Sequence, residues 1–194
     1  MLAEEKRIKT KEQLKDWLDY EMAGYGGAKL SDVLMLTEGA ILRRHQQFLR
    51  KGEYHANTGH RLRSIYYRFR VKLIQNRHCL HIARNCCGRG LHIMHLGPVL
   101  MNGHITVGEN CTIHINTSIV AGGRDNGVPS LGDDIIIGVG AVILGGIELA
   151  DGIAIGANSV VNRSFTEPNI AIAGAPARKI SDHGSRSWGQ PDRD

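Results

Sequence analysis

Six of the ten histidines fall between His78 and His114, at His78, His81, His92, His95, His104 and His114. An imidazole titrates near neutral pH, so such a cluster suits a general base. It also suits zinc ligation, including ligation across subunits. The bland alternative is that most of these histidines simply lie on the surface. The four cysteines, Cys79, Cys86, Cys87 and Cys111, show no paired metal spacing and read as thiols. Which groups can act together depends on the scaffold that carries them.

That scaffold is written in the stretch from Ile105 to Val161, where blocks of six residues repeat. The third position of each block is aliphatic: Val107, Ile113, Ile119, Leu131, Ile137, Ile143, Leu149, Ile155 and Val161. The first position is mostly small or apolar: Ile105, Cys111, Thr117, Pro129, Ile135, Ala141, Ile147, Ile153 and Ser159. Alternation within a block makes a short strand, and Gly, Asn or Asp between blocks suits a turn. A period of six held over nine blocks is the signature of a parallel β-helix, in which each rung buries its inward aliphatics on the next.

With three blocks to a turn, residues eighteen apart stack. His95 and His114, nineteen apart, then lie on adjacent rungs, roughly 5 Å apart along the backbone. Simple extension of the phase points His95 inward, so a useful His95 requires an irregular first coil. The glycine-rich segment 122–129 interrupts the array and reads as a loop leaving the wall, a common place for function.

Upstream, residues 1–76 read as helical. Thr10 and Gln13 form a capping box, followed by Leu14, Trp17 and Leu18 on one face, with a stop near Gly24. A second helix is expected from Ser31 or Thr37 to Arg50, with His45 on its apolar stripe as a packed residue. A third is expected from about Thr58 to Gln75, carrying Leu62, Ile65, Tyr66, Phe69 and Leu73. These helices carry no recognisable chemistry and are expected to cap the solenoid and make subunit contacts. The β-helix is placed at 77–180 and a polar, loose tail at 181–194.

The net charge of +5 is concentrated between Arg43 and Arg89, where Glu53 is the one carboxylate. A basic span could attract nucleic acid, an anionic membrane or a phosphorylated ligand, or merely be a solvated helix face. No motif with aromatic platforms supports nucleic acid, so none is expected as a partner. The charged start and the lack of a long apolar run imply neither a signal peptide nor a transmembrane segment, hence a cytoplasmic protein.

The segment Gly90–Val99, containing His95, followed by the hexapeptides and then Gly174-Ala-Pro-Ala-Arg-Lys179, resembles the serine-acetyltransferase branch of the hexapeptide acyltransferases. It looks closest to the members of capsule and exopolysaccharide biosynthesis. The resemblance covers about residues 77–180. It implies a left-handed β-helix and an acetyl-CoA-dependent O-acetyltransferase in which His95 matches the catalytic base, with His114 as a second catalytic candidate. It implies acetyl-CoA in a groove between neighbouring β-helices of a homotrimer, or of a hexamer joined through the N-terminal helices. The matching CoA positions are Ala121, Gly122, Val139 and Ala157, with Arg178 and Lys179 toward the nucleotide, and no metal is implied.

Departures from that branch bear on the acceptor. Leu80 and Met94 stand where serine acetyltransferases have aspartates, and Val128 where they have a second histidine. A base gains from a carboxylate that fixes its tautomer, so His114, Glu109 or Asp125 is expected to serve instead. A sugar hydroxyl of a cell-surface polysaccharide precursor is the expected acceptor, with serine as the alternative. A gamma-type carbonic anhydrase would need a ligand where Ile119 stands, and a non-catalytic hexapeptide protein would bind no CoA.

Overall fold

The computed structural model describes residues 1–26, 29–122 and 127–188, with the side chains of Arg186 and Trp188 left aside. Short strands, numbered in chain order, wind into a three-faced prism. One face stacks β1 (Leu80–His81), β3 (Val99–Met101), β6 (Thr117–Val120), β9 (Val142–Leu144) and β12 (Val160–Val161). A second stacks β4 (Thr106–Val107), β7 (Ser130–Leu131) and β10 (Glu148–Leu149). The third stacks β2 (His92–Ile93), β5 (Thr112–Ile113), β8 (Ile136–Ile137) and β11 (Ala154–Ile155), then the closing hairpin of β13 (Ala171–Gly174) and β14 (Ala177–Ser181). All pairings between these strands are parallel except that hairpin.

The repeat dictates this core. All nine third-position aliphatics are at most 3% exposed, and the first-position residues are buried with them. Residues eighteen apart pair where the array is regular, as in Ile136 with Ala154 and Val142 with Val160. Across the loop the offset grows to that between Thr106 and Ser130. Gly122 and Gly127 pair in a bridge on either side of residues 123–126, where the expected loop lies outside the described residues. Corner residues take positive φ in register, such as Asn116, Gly140 and Asn158. A side chain at Gly140 would also meet Asn158 Oδ1, so a substitution there has to displace that amide as well as hold a positive φ.

Helices close the N-terminal end of the prism. They are α1 (Lys11–Ala23), α2 (Leu30–Leu34), α3 (Glu38–Asn57) and α4 (Arg61–His78). Thr10 caps α1 through the expected box with Gln13. Of the two starts expected for the second helix, Thr37 is the N-cap of α3, and α2 is a separate element set off at Leu36, which has φ 51°. Helix α3 also runs on to Asn57, because nothing before Gly59 stops it. Leu42, Leu49 and Val71 join Leu80, Ile82 and Leu91 in one core with the coils. The apolar stripe expected on α4 does not face that core: Leu62 is 85% exposed and Phe69 60%, while Val71 and Gln75 turn inward. Part of the tail is packed rather than loose, with Ser185 buried and its N–H donating to Gly152 O.

A buried ionic cluster ties the helices to the first coil. Arg50 of α3 lies between Glu21 of α1 (2.7 Å) and Glu53 (2.8 Å), all three essentially without solvent. The same guanidinium donates to the carbonyls of Cys87 and Gly88, and Gly90 N–H donates back to Glu21. Burial opposes the Arg50 charge, but the two glutamates outweigh it and hold it protonated.

His45, one turn earlier on α3, is packed as expected, fully buried and with neither ring nitrogen hydrogen-bonded. Burial, then the Arg50 charge, push it down from 6.5 to about 4. Below pH 6.5 the unfolded chain therefore takes up a proton that the folded chain refuses until about pH 4. Stability is full above 6.5 and is lost as pH falls toward 4, by on the order of 3 kcal/mol. His45→Leu is expected to remove much of that loss, seen as a urea midpoint less sensitive to acid. Equal acid sensitivity in both proteins would show that His45 is not the titrating group.

Candidate functional site

The site lies at the prism corner between the faces carrying β2, β5, β8, β11 and β3, β6, β9, β12. Register places its residues. Ile93 pairs with Ile113 and Val99 with Thr117, so five residues bridge this corner in the first coil but three in the second. Gly97 sits against Ile115, and Asn116 N–H donates to Pro98 O, which leaves His95 and Leu96 as the two extra residues. This small insertion is the irregularity that an exposed His95 requires. It resets the phase, so that Leu91 and Ile93 point inward and His95 points out, with 55% of its side chain in solvent.

His95 and His114 do meet, with ring centroids 6.4 Å apart and planes tilted by 51°. Partial burial, and then repulsion from His95, lower the affinity of His114 for a proton. His114 is thereby kept neutral to lower pH than a free imidazole, and it gives His95 no charge to lean on.

The carboxylate beside His95 comes instead from the helical region. Glu38, first residue of α3, places Oε1 3.5 Å from His95 Nδ1. The same oxygen accepts the Leu96 N–H at 2.5 Å, so the inserted dipeptide and the helix start hold one another. Sequence reasoning missed Glu38 because 57 residues separate it from His95 and nothing local links a helix-opening glutamate to a β-helix corner. The expected substitutes fare differently. Glu109 lies at another corner, lining a groove of about 610 Å³ with Trp17, Asp133 and Asp151. Asp125 lies outside the described residues. Among the described residues no three His, Cys, Asp or Glu side chains gather to hold a metal ion.

The expected CoA positions fall into two groups. Ile137 pairs with Ile113 and Ile155, so Val139 and Ala157 continue the column below Ile115 at the His95 corner. Both are exposed. Ala121 and Gly122 lie at the far end of β6, where Gly122 packs on Leu144 and Gly145 at the next corner. Arg178 and Lys179 sit on the closing hairpin opposite Ala173 and Ile172. Lys179 is already paired with Glu167 (2.6 Å) and Asp182 (2.5 Å), whereas Arg178 donates to the carbonyl of Ala177. Within one chain, the His95 corner and the Ala121 corner are therefore separated by the width of a face.

No protein-family model matches the chain. In sequence it is similar to a serine acetyltransferase of Staphylococcus epidermidis, 33% identical over 101 residues, covering 51% of this chain and 47% of that protein. The chain thus spans about half the length of the curated relatives it matches. In fold it is similar to the crystal structure of serine acetyltransferase from Brucella abortus strain S19, with TM-score 0.66 at 22% identity, over 90% of this chain and 72% of that one. It is similar as well to that serine acetyltransferase in complex with coenzyme A, with TM-score 0.63 at 22% identity, over 90% and 70% of the two chains. The fold is the left-handed parallel β-helix that the hexapeptides and the resemblance implied.

Proposed function

We propose that this chain is an acetyl-CoA-dependent O-acetyltransferase in which His95 is the general base. The observation that carries the reading is the exposed His95 ring with Nδ1 turned to Glu38 and His114 beside it. Glu38 favours the tautomer with the proton on Nδ1 and leaves Nε2 to take the proton of an acceptor hydroxyl. The hydroxyl oxygen attacks the thioester carbonyl, and an oxyanion forms. Its collapse breaks the C–S bond, and His95 returns its proton to the departing thiolate. The serine acetyltransferases similar in sequence and the neighbour solved with coenzyme A support this donor.

The split between the two corners supports a site shared by copies. In a homotrimer, the His95 corner of one prism would face the Ala121–Gly122 side of the next, with CoA in the groove between. Val139, Ala157, Ala121 and Gly122 would line the pantetheine arm, and Arg178 would meet phosphate. Lys179 is the weaker phosphate ligand, because two carboxylates already hold it. A cytoplasmic location accompanies acetyl-CoA as donor.

The acceptor we favour is a sugar hydroxyl of a surface-glycan precursor. Leu80 is wholly buried and Met94 is uncharged, so neither can grip the ammonium of an amino acid. Serine is the second reading, favoured by the names of the relatives similar in sequence. An acceptor screen scored by free thiol release from acetyl-CoA separates the two. Release with nucleotide sugars or glycan fragments is the expected result. Strong release with L-serine alone would overturn the sugar, and silence with every acceptor despite CoA binding would count against transfer itself.

A further inference from the structure

Helix α4 exposes an apolar stripe on its outer side, made of Leu62, Ile65, Tyr66, Phe69 and Leu73, each between 49% and 85% exposed. Cations flank the stripe on both sides. At about 100° per residue, Arg61, Arg68 and Lys72 fall along one edge and Arg63, Arg70 and Arg77 along the other. Helix α4 has no acidic residue, and none occurs between Glu53 and Glu109. Among the described residues none of the six cations has a carboxylate partner. Arg70 is held over the Phe48 ring and donates to Tyr66 Oη, which keeps that ring at the stripe. At the C-terminal end the stripe runs into a cleft of about 340 Å³ lined by Leu36, Ile41, Arg44, Leu73, Ile74 and Arg77. That cleft carries it to the α2–α3 turn, where Leu34, Met35 and Leu36 are also exposed.

We infer that α4 docks this protein on the surface of an anionic lipid bilayer. An apolar stripe bordered by long cationic side chains on both edges is the arrangement of a helix lying in a membrane interface. The apolar groups enter the headgroup boundary while Lys and Arg stems reach out to lipid phosphates. Charge and shape decide against two other occupants, a symmetric α4 pair and nucleic acid. Packing α4 on α4 of a second copy would set arginine against arginine with no acid to relieve it. Nucleic-acid phosphates would match the cations but leave the aliphatic centre of the stripe uncovered. Leu36 stands two residues before Glu38, so a docked α4 also holds the His95 corner near the headgroups. That last consequence alone rests on the acetyl-transfer reading; lipid docking does not.

The test is flotation of the full chain with phosphatidylcholine vesicles, with and without phosphatidylglycerol. Binding is expected only where the anionic lipid is present, and it should weaken with added salt. Phe69→Ser removes a solvent-facing ring and should leave the thermal melt unchanged while lowering partition by about tenfold or more. Arg61→Glu and Arg68→Glu should each lower it by about fivefold or more. Absence from anionic vesicles would overturn the proposal, as would binding indifferent to Phe69→Ser. So would light scattering in which Phe69→Ser splits an oligomer, since the stripe would then belong to a second copy, and so would equal salt-sensitive binding to an RNA duplex.

Discussion

His95→Ala is expected to reduce acetyl transfer by about 10²- to 10⁴-fold, the usual contribution of a positioned general base, with CoA affinity retained. Retention follows because the proposed CoA positions stand apart from the ring, Val139 and Ala157 on the coils below it and Ala121 and Gly122 at the far end of β6. Thiol release and calorimetric titration with CoA measure the two quantities separately. Glu38→Gln is the companion variant. It keeps the shape and a carbonyl oxygen for Leu96 N–H, but removes the negative charge 3.5 Å from Nδ1. Its rate should fall by about tenfold, since the carboxylate that fixes the His95 tautomer is gone. A rate unchanged in Glu38→Gln would make Glu38 a brace for Leu96 only. A rate unchanged in His95→Ala would remove His95 from the mechanism.

Arg50→Ala is expected to destabilise the protein by about 3–5 kcal/mol, because it leaves buried charge without a partner. Glu21 and Glu53 would be stranded, and the carbonyls of Cys87 and Gly88 would lose their donor. For a chain of this length that corresponds to a fall in Tm of roughly 10 °C, read from a thermal melt. The damage should reach the site. Arg50 links α1 and α3 to the first coil, and α3 is also the element that brings Glu38 to His95. Transfer measured well below the melting range should therefore fall too. Replacing Arg50, Glu21 and Glu53 together by apolar residues of similar volume should restore much of the stability, as removing whole buried ion clusters does elsewhere. A Tm shift of only a degree or two in Arg50→Ala would show that core contacts such as Leu42, Leu49 and Val71 suffice to hold the cap.

The amino-acid order alone settled the solenoid and its inner lining. A period of six with alternation inside each block permits one arrangement of inward residues, and Val107 through Val161 obey it because each is a purely local choice of strand and turn. His95 as a candidate base was legible on its motif, and the capping box of α1 on four adjacent residues. What the order could not settle were contacts that depend on where distant elements land. The His95–Leu96 insertion is visible only when coil is laid on coil, since a two-residue excess at a corner changes no local pattern. Glu38 reaches His95, and Arg50 joins Glu21 to Gly88, only because α3 lies across the open end of the prism. Helix α4 shows the converse. Its apolar stripe has the spacing of a core face, yet packing turned the face with Val71 and Gln75 inward, because Gln75 could satisfy the Ile82 carbonyl at the first coil. Periodicity names the faces of a helix; only the tertiary arrangement, with its demand that buried polar groups be paired, decides which of them meets water.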